Sequence, residues 1–186
     1  MKAIYNCDNH NFPEWIKENA SADEIIFRGV MPFEEACAIN PIVDCLKGKI
    51  VDISGYDISY PVDDDPCANF EEFFLGYIYW SSYYDMLWPV ICANKQFATR
   101  YVMSLDKNYV LSEDGRVYIQ YKLFSSIVIP RSVRVIGHFS FYHIEDTNWC
   151  NIVLPDQLEI VGDLALNGLD QIDSLPDSIR EIGVYA

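Results

Sequence analysis

One eight-residue phrase occurs three times in the last third of this chain: a proline, two variable residues, an aliphatic, two more residues, an aliphatic and a glycine. The copies are Pro130 to Gly137 (PRSVRVIG), Pro155 to Gly162 (PDQLEIVG) and Pro176 to Gly183 (PDSIREIG). Proline and glycine each recur after 25 and then 21 residues. Self-similarity at such a period predicts a solenoid, in which every unit leaves an apolar side that only the next unit can cover.

Each part of the phrase has a physical reason. An aliphatic stretch precedes every copy, Ile127 to Ile129, Ile152 to Leu154 and Ile172 to Leu175, and branched side chains bounded by turn residues suit short strands. Proline has no amide hydrogen to donate, so it ends the strand. The aliphatics three and six positions on (Val133 and Ile136, Leu158 and Val161, Ile179 and Ile182) are expected to point inward. Glycine then permits backbone angles or close approaches denied to other residues. An apolar residue and a small one follow: Phe139 with Ser140, Leu164 with Ala165, Tyr185 with Ala186.

The forms IVIPRSVRVIG, IVLPDQLEIVG and SLPDSIREIG resemble the BspA-like leucine-rich repeats of bacterial proteins. Ser140-Phe141 fits the small residue and Phe that close such units, and Cys150 sits where these repeats often carry a buried cysteine. Tyr109 to Tyr118 (YVLSEDGRVY) resembles the variant unit in which Ser-x-Asp-Gly makes a hairpin turn. The resemblance is specific over 97–186 and looser over 22–58. It implies an α/β solenoid, a short right-handed leucine-rich-repeat array with a helical N-terminal cap unit and mainly β C-terminal coils. On that reading the chain is one domain: cap and helical repeat at 1–58, an irregular aromatic insert at 59–96, the hairpin variant at 97–126, and three repeats at 127–186 with the last truncated.

Upstream, Asn11 is placed to cap a helix in which Phe12, Trp15 and Ile16 share a face and Pro13 sits in the first turn. Glu24 to Gly29 and Lys49 to Ser54 read as strands. Between them Pro32 to Leu46 has apolar residues at helical spacing, with Pro41 expected to kink or divide the helix. Ser59 to Asn69, with two prolines and Asp63-Asp64-Asp65, reads as an exposed loop. Asn69 can cap a helix opening Phe70-Glu71-Glu72, whose acids favour the positive end of the dipole. The nine rings from Phe70 to Trp88 cannot all lie on one helical face.

A chain of 186 residues, 51% apolar and 22% charged, can bury one sizeable core. It has no run near the roughly 18 apolar residues of a membrane helix. The first residues carry no apolar segment of a secretory signal, which reads as cytoplasmic, whereas the resemblance implies a cell-surface or secreted protein. Six cysteines without pairing rhythm read as reduced, buried small hydrophobes.

Sites of chemistry find little support. Cys7 and His10 have a zinc-ligand spacing but no second pair, the other histidines being His138 and His143. The run Asp63-Asp64-Asp65 lacks the alternating ligands and glycine turn of a calcium loop and reads as solvated surface. No Gly-x-Ser-x-Gly, His-Glu-x-x-His or phosphate-cradling loop occurs. The expectation is therefore no catalytic residue, no cofactor and no metal, a hydrolase or metal protein being a remote alternative. Basic residues number 7 against 16 acidic up to Arg100 and 6 against 12 after it, and the net charge of -15 disfavours nucleic acid and anionic membranes.

What remains is recognition of a protein. Relatives in the resembled family are commonly adhesion proteins, so the resemblance implies a non-catalytic protein-binding module of unknown partner. Tyr79, Trp80, Tyr83, Tyr84 and Trp88 are the candidate partner-binding residues, because exposed Tyr and Trp make good anchors. The alternative is a structural or assembly subunit: the last repeat stops midway at Ala186, and an uncapped edge would let the chain form a homo-oligomer.

Overall fold

The computed structural model describes residues 1–59, 87–103, 109–120, 126–141, 151–167, 169, 172 and 174–186. They divide into two compact units, Met1–Cys92 and Ala93–Ala186. The expected loop at Ser59 to Asn69, the Asn69 cap, most of the aromatic segment from Phe70, and Cys67, His143 and Cys150 lie outside the described residues.

The first unit is built on three parallel strands, β1 (Lys2–Asn6), β2 (Glu24–Pro32) and β3 (Ile50–Ser59), with β2 in the middle. Two crossovers join them. The first is a 3-10 turn at Cys7–Asn9 and helix α1 (Phe12–Glu18), which buries Phe12 and Ile16 as the apolar spacing requires. Asn11 stands at its N-cap, but no side-chain bond forms there; its carbonyl instead accepts from the Glu14 and Trp15 amides. The second is helix α2 (Phe33–Ala38) followed by a 3-10 segment, Asn40–Leu46. The helical stretch thus divides just before Pro41, whose missing amide hydrogen cannot continue the α-helical ladder. Helix α3 (Leu87–Ala93) supplies Trp88 to a core of rings, with centroids 5.0 Å apart for Tyr5 and Phe12, 5.2 Å for Phe12 and Phe27, and 4.7 Å for Phe27 and Trp88.

The second unit opens on an antiparallel meander, β4 (Arg100–Met103), β5 (Tyr109–Ser112) and β6 (Val117–Gln120). The β5–β6 hairpin turns at Ser112-Glu113-Asp114-Gly115, where the Gly115 amide donates to the Ser112 carbonyl at 2.8 Å and Gly115 has φ +71. A positive φ is the reason glycine stands there. Two short strands, β7 (Ser126–Val128) and β9 (Asn151–Val153), form a separate parallel pair. The two-residue strands β8 (Val135–Ile136), β10 (Ile160–Val161) and β11 (Glu181–Ile182) continue from β6, all parallel.

The three strands of the first unit thus pair in parallel, and β4, β5, β6, β8, β10 and β11 of the second pair as a mixed β-sheet, with few helices in either unit. This corrects the expected α/β solenoid with a helical cap unit. A right-handed array needs every successive strand to run the same way, and the hairpin at Glu113 to Gly115 reverses the chain through β4, β5 and β6. The helices are short, and none lies between β8, β10 and β11 among the described residues.

The three phrases nevertheless meet in register. Val135 pairs with Ile160 and Ile160 with Glu181; Ile136 pairs with Val161 and Val161 with Ile182. Each copy opens with the same turn, the amide of its first aliphatic donating to its proline carbonyl: Val133 to Pro130 and Leu158 to Pro155 at 3.0 Å, Ile179 to Pro176 at 3.2 Å. Val133, Ile136, Leu158 and Val161 join Tyr118, Ile127, Phe141 and Ile152 in one apolar core. In the third copy the inward expectation fails for Ile182, which is exposed, as is Tyr185.

The phrase glycines are required by close approach rather than by a positive φ. A Cβ on Gly162 would stand 2.6 Å from the His138 nitrogen, and one on Gly183 2.5 Å from the Asp163 nitrogen. The left-handed backbone falls two residues later, at Phe139 (φ 61), Leu164 (φ 53) and Tyr185 (φ 54).

Candidate interaction surface

The alternation of a β-strand decides what β7 and β9 display. Ile127 and Ile152 face the core, so their successors face away: Val128 and Val153 are 76% and 60% exposed. Parallel register sets these two valines directly beside each other. The aliphatic triplet reads from sequence as a short strand, and its middle residue is the one turned outward. Period-two alternation was the signal for this, and a run of three aliphatics conceals it.

The fifth position of the phrase forms a charged stripe. Arg134 Nε lies 3.7 Å from Glu159 Oε1, and Arg180 Nη2 lies 3.3 Å from Glu159 Oε2. Opposite signs alternate along neighbouring strands, so each charge meets a partner rather than its like.

The residue after each glycine carries a second chain of contacts. The His138 amide donates to Asn94 Oδ1 at 2.7 Å, the Asp163 amide to His138 Nδ1 at 2.8 Å, and the Val184 amide to Asp163 Oδ1 at 2.7 Å. Asp163 Oδ2 also lies 3.2 Å from His138 Nδ1. These two contacts exclude each other, because an Nδ1 that accepts an amide hydrogen cannot be protonated toward the carboxylate. The acceptor role is the consistent one: it is the shorter contact, and Asn94 and Asp163 do the same on either side. The ring proton then belongs to Nε2, 2.6 Å from the Gln96 carboxamide, which must turn its oxygen to the ring. Phe97 stacks on the imidazole at 4.8 Å.

Of the candidate anchors read from sequence, Tyr79, Trp80, Tyr83 and Tyr84 lie outside the described residues. Trp88 is 0% exposed; its Nε1 donates to the Tyr56 hydroxyl at 3.1 Å, which donates in turn to Met31 Sδ at 3.4 Å. It is a core side chain and not a displayed anchor, because helix α3 turns it onto Phe27.

The spaced pair Cys7 and His10 does not form a common site in the first unit. Burial pushes the Cys7 thiol up to about 11, helped by the nearby Asp8 charge. His10 Nδ1 is engaged with the Glu35 carboxylate at 2.8 Å. The described cysteines Cys7, Cys37, Cys45 and Cys92 are unbridged; of these Cys7 alone is buried as expected, Cys37 and Cys92 being half-buried and Cys45 exposed. No helix among the described residues is long and apolar enough to cross a membrane. Comparison of the chain with family models, with curated proteins and with solved structures found no match.

Proposed function

We propose that this protein is a non-catalytic protein-binding module, adhesion-related as its resemblance to BspA-like repeats implies, which engages a protein partner through the outer face of β7 and β9. The observation that supports this most is the side-by-side exposure of Val128 and Val153 on paired strands. β-branched side chains on a hydrogen-bonded ladder are stiff at χ1, so little rotamer freedom is lost when a partner covers them. The net charge of -15 favours a partner with a neutral or basic surface and steers its approach.

The experiment is capture of partners from native material by the full chain and by the Val128→Asp/Val153→Asp double variant. A partner bound by the parent and lost by the variant, with thermal unfolding unchanged, supports the reading. Equal capture by both chains removes this face from the function.

A second reading, assembly by self-association, rests on β11. One of its edges pairs with β10, its other edge has no strand partner among the described residues, and Ile182 and Tyr185 are 54% and 71% exposed. An unpaired edge is a template for another strand. Sedimentation that finds a monomer at every concentration disposes of it.

A further inference from the structure

The first unit holds a half-open pocket of about 190 Å³ lined by Tyr5, His10, Phe12, Met31, Glu35 and Ile39, among others. An apolar cavity of ~150 Å³ is large enough to take a benzene ring, so this one has room for a ring with one or two substituents. Its wall is chiefly aromatic, aliphatic and thioether surface, which suits an aromatic body.

Two polar groups in the wall are incompletely used. The Tyr5 hydroxyl is buried and accepts the Asn11 amide hydrogen at 3.1 Å, but its own hydrogen has no acceptor among the described residues. A buried hydroxyl that accepts without donating is an uncommon state. His10 lies with Nδ1 2.8 Å from both oxygens of Glu35, an arrangement that keeps the ring proton on Nδ1. Nε2 has no partner among the described residues, and the His10 side chain is about half exposed at the mouth of the pocket. The pocket wall thus holds a hydroxyl hydrogen without a described acceptor beside an imidazole nitrogen without a described partner.

The geometry points to a ligand site for a small uncharged aromatic alcohol, of about the size of a cresol, its ring in the cavity and its hydroxyl matched to Tyr5 and His10. A hydroxyl group both accepts and donates. A carboxylate would only accept, and it would meet the Glu35 charge. An ammonium would only donate, leaving the Tyr5 hydrogen unused.

The test is a titration of the full chain, followed through backbone amide resonances, with 4-methylphenol, toluene, benzoate and benzylamine as separate probes. Saturable binding of 4-methylphenol with a Kd on the order of 1 mM is expected for so small a molecule. It should shift the amides of Tyr5, His10, Met31 and Glu35, and toluene, benzoate and benzylamine should each bind several-fold more weakly. Tyr5→Phe should lower the affinity for 4-methylphenol toward that for toluene. Ala38→Trp, at an exposed position of the lining, should block both. Absence of saturation, binding that survives Ala38→Trp in a folded chain, or tighter binding of either charged probe would overturn the proposal. Should Ala38→Trp fail to fold, the comparison of 4-methylphenol with toluene in Tyr5→Phe decides alone, and equal loss of both refutes the hydroxyl match.

Discussion

His138 accepts, on Nδ1, the backbone hydrogen of Asp163 at 2.8 Å. It is the middle link of three such bonds, each made by the side chain that stands beside the next strand's amide: Asn94 for His138, His138 for Asp163, Asp163 for Val184. The two-residue strands β8, β10 and β11 offer few ladder bonds of their own, so these side chains extend the pairing beyond the strands.

His138→Leu removes the acceptor and leaves the Asp163 amide to find another. We expect a loss of about 1–3 kcal/mol in urea unfolding. His138→Asn, which restores an acceptor as Asn94 does, should recover at least half of it. Equal destabilisation by Leu and Asn would show that the imidazole acts through its packing on Phe97 instead.

Gly162 is required by space. An alanine Cβ would press on the His138 nitrogen at 2.6 Å and the Gly137 carbonyl carbon at 2.9 Å, and backbone atoms cannot yield as a side-chain tip can. Gly162→Ala should cost roughly 1–3 kcal/mol. Gly115→Ala tests the other use of glycine, since its nearest neighbour is a Ser132 hydroxyl at 3.3 Å while its φ is +71. It should cost roughly 1–2 kcal/mol through backbone strain alone. Unfolding curves that leave Gly162→Ala unchanged would contradict the packing.

Glu159 holds Arg134 and Arg180 apart electrically. Glu159→Lys would put three cations in line, yet the groups are partly solvated, so the expected loss is only about 1 kcal/mol. It should shrink in molar salt, where screening reaches about 3 Å. A loss indifferent to salt would mean that Glu159 acts by something other than charge.

Trp88 tests the division between core and surface. Trp88→Ala should destabilise the chain by about 3–5 kcal/mol in thermal or urea unfolding. Trp88→Phe should cost less, leaving the Tyr56 hydroxyl without its indole donor. A Trp88→Ala chain of parental stability would return this residue to the surface.

Asp114 gives the hairpin a dependence on acid. The Ser112 hydroxyl, donating to its carboxylate, holds the carboxyl below its ordinary 3.8, burial works against this, and the Arg116 amide at 3.1 Å adds to the lowering. A lowered carboxyl contributes stability that is fully present above the unfolded value and is lost as pH falls through the folded one. Asp114→Asn should therefore be less stable than the parent at neutral pH. The gap should close below about pH 3.8, as measured by unfolding at both pH values; a gap independent of pH would exclude the carboxylate.

Much of the local structure was legible in the residues alone. Phe12, Ile16 and Pro13 announced α1 and Pro41 the break after α2, because periodicity and a missing amide hydrogen are properties of neighbouring residues, while the hairpin at Ser112 to Gly115 was what the resemblance implied. The repetition of Pro, aliphatic and Gly likewise determined that three segments adopt one conformation. What they build was decided by pairing between distant strands. The reversal through β4, β5 and β6 made the sheet mixed where a one-way array was expected, and register alone brought Val128 beside Val153 and Glu159 between two arginines. Burial of Trp88 was a tertiary outcome too: an aromatic residue lowers the free energy at a core or at an interface alike, and only the position of Phe27 and Tyr56 resolved which it is.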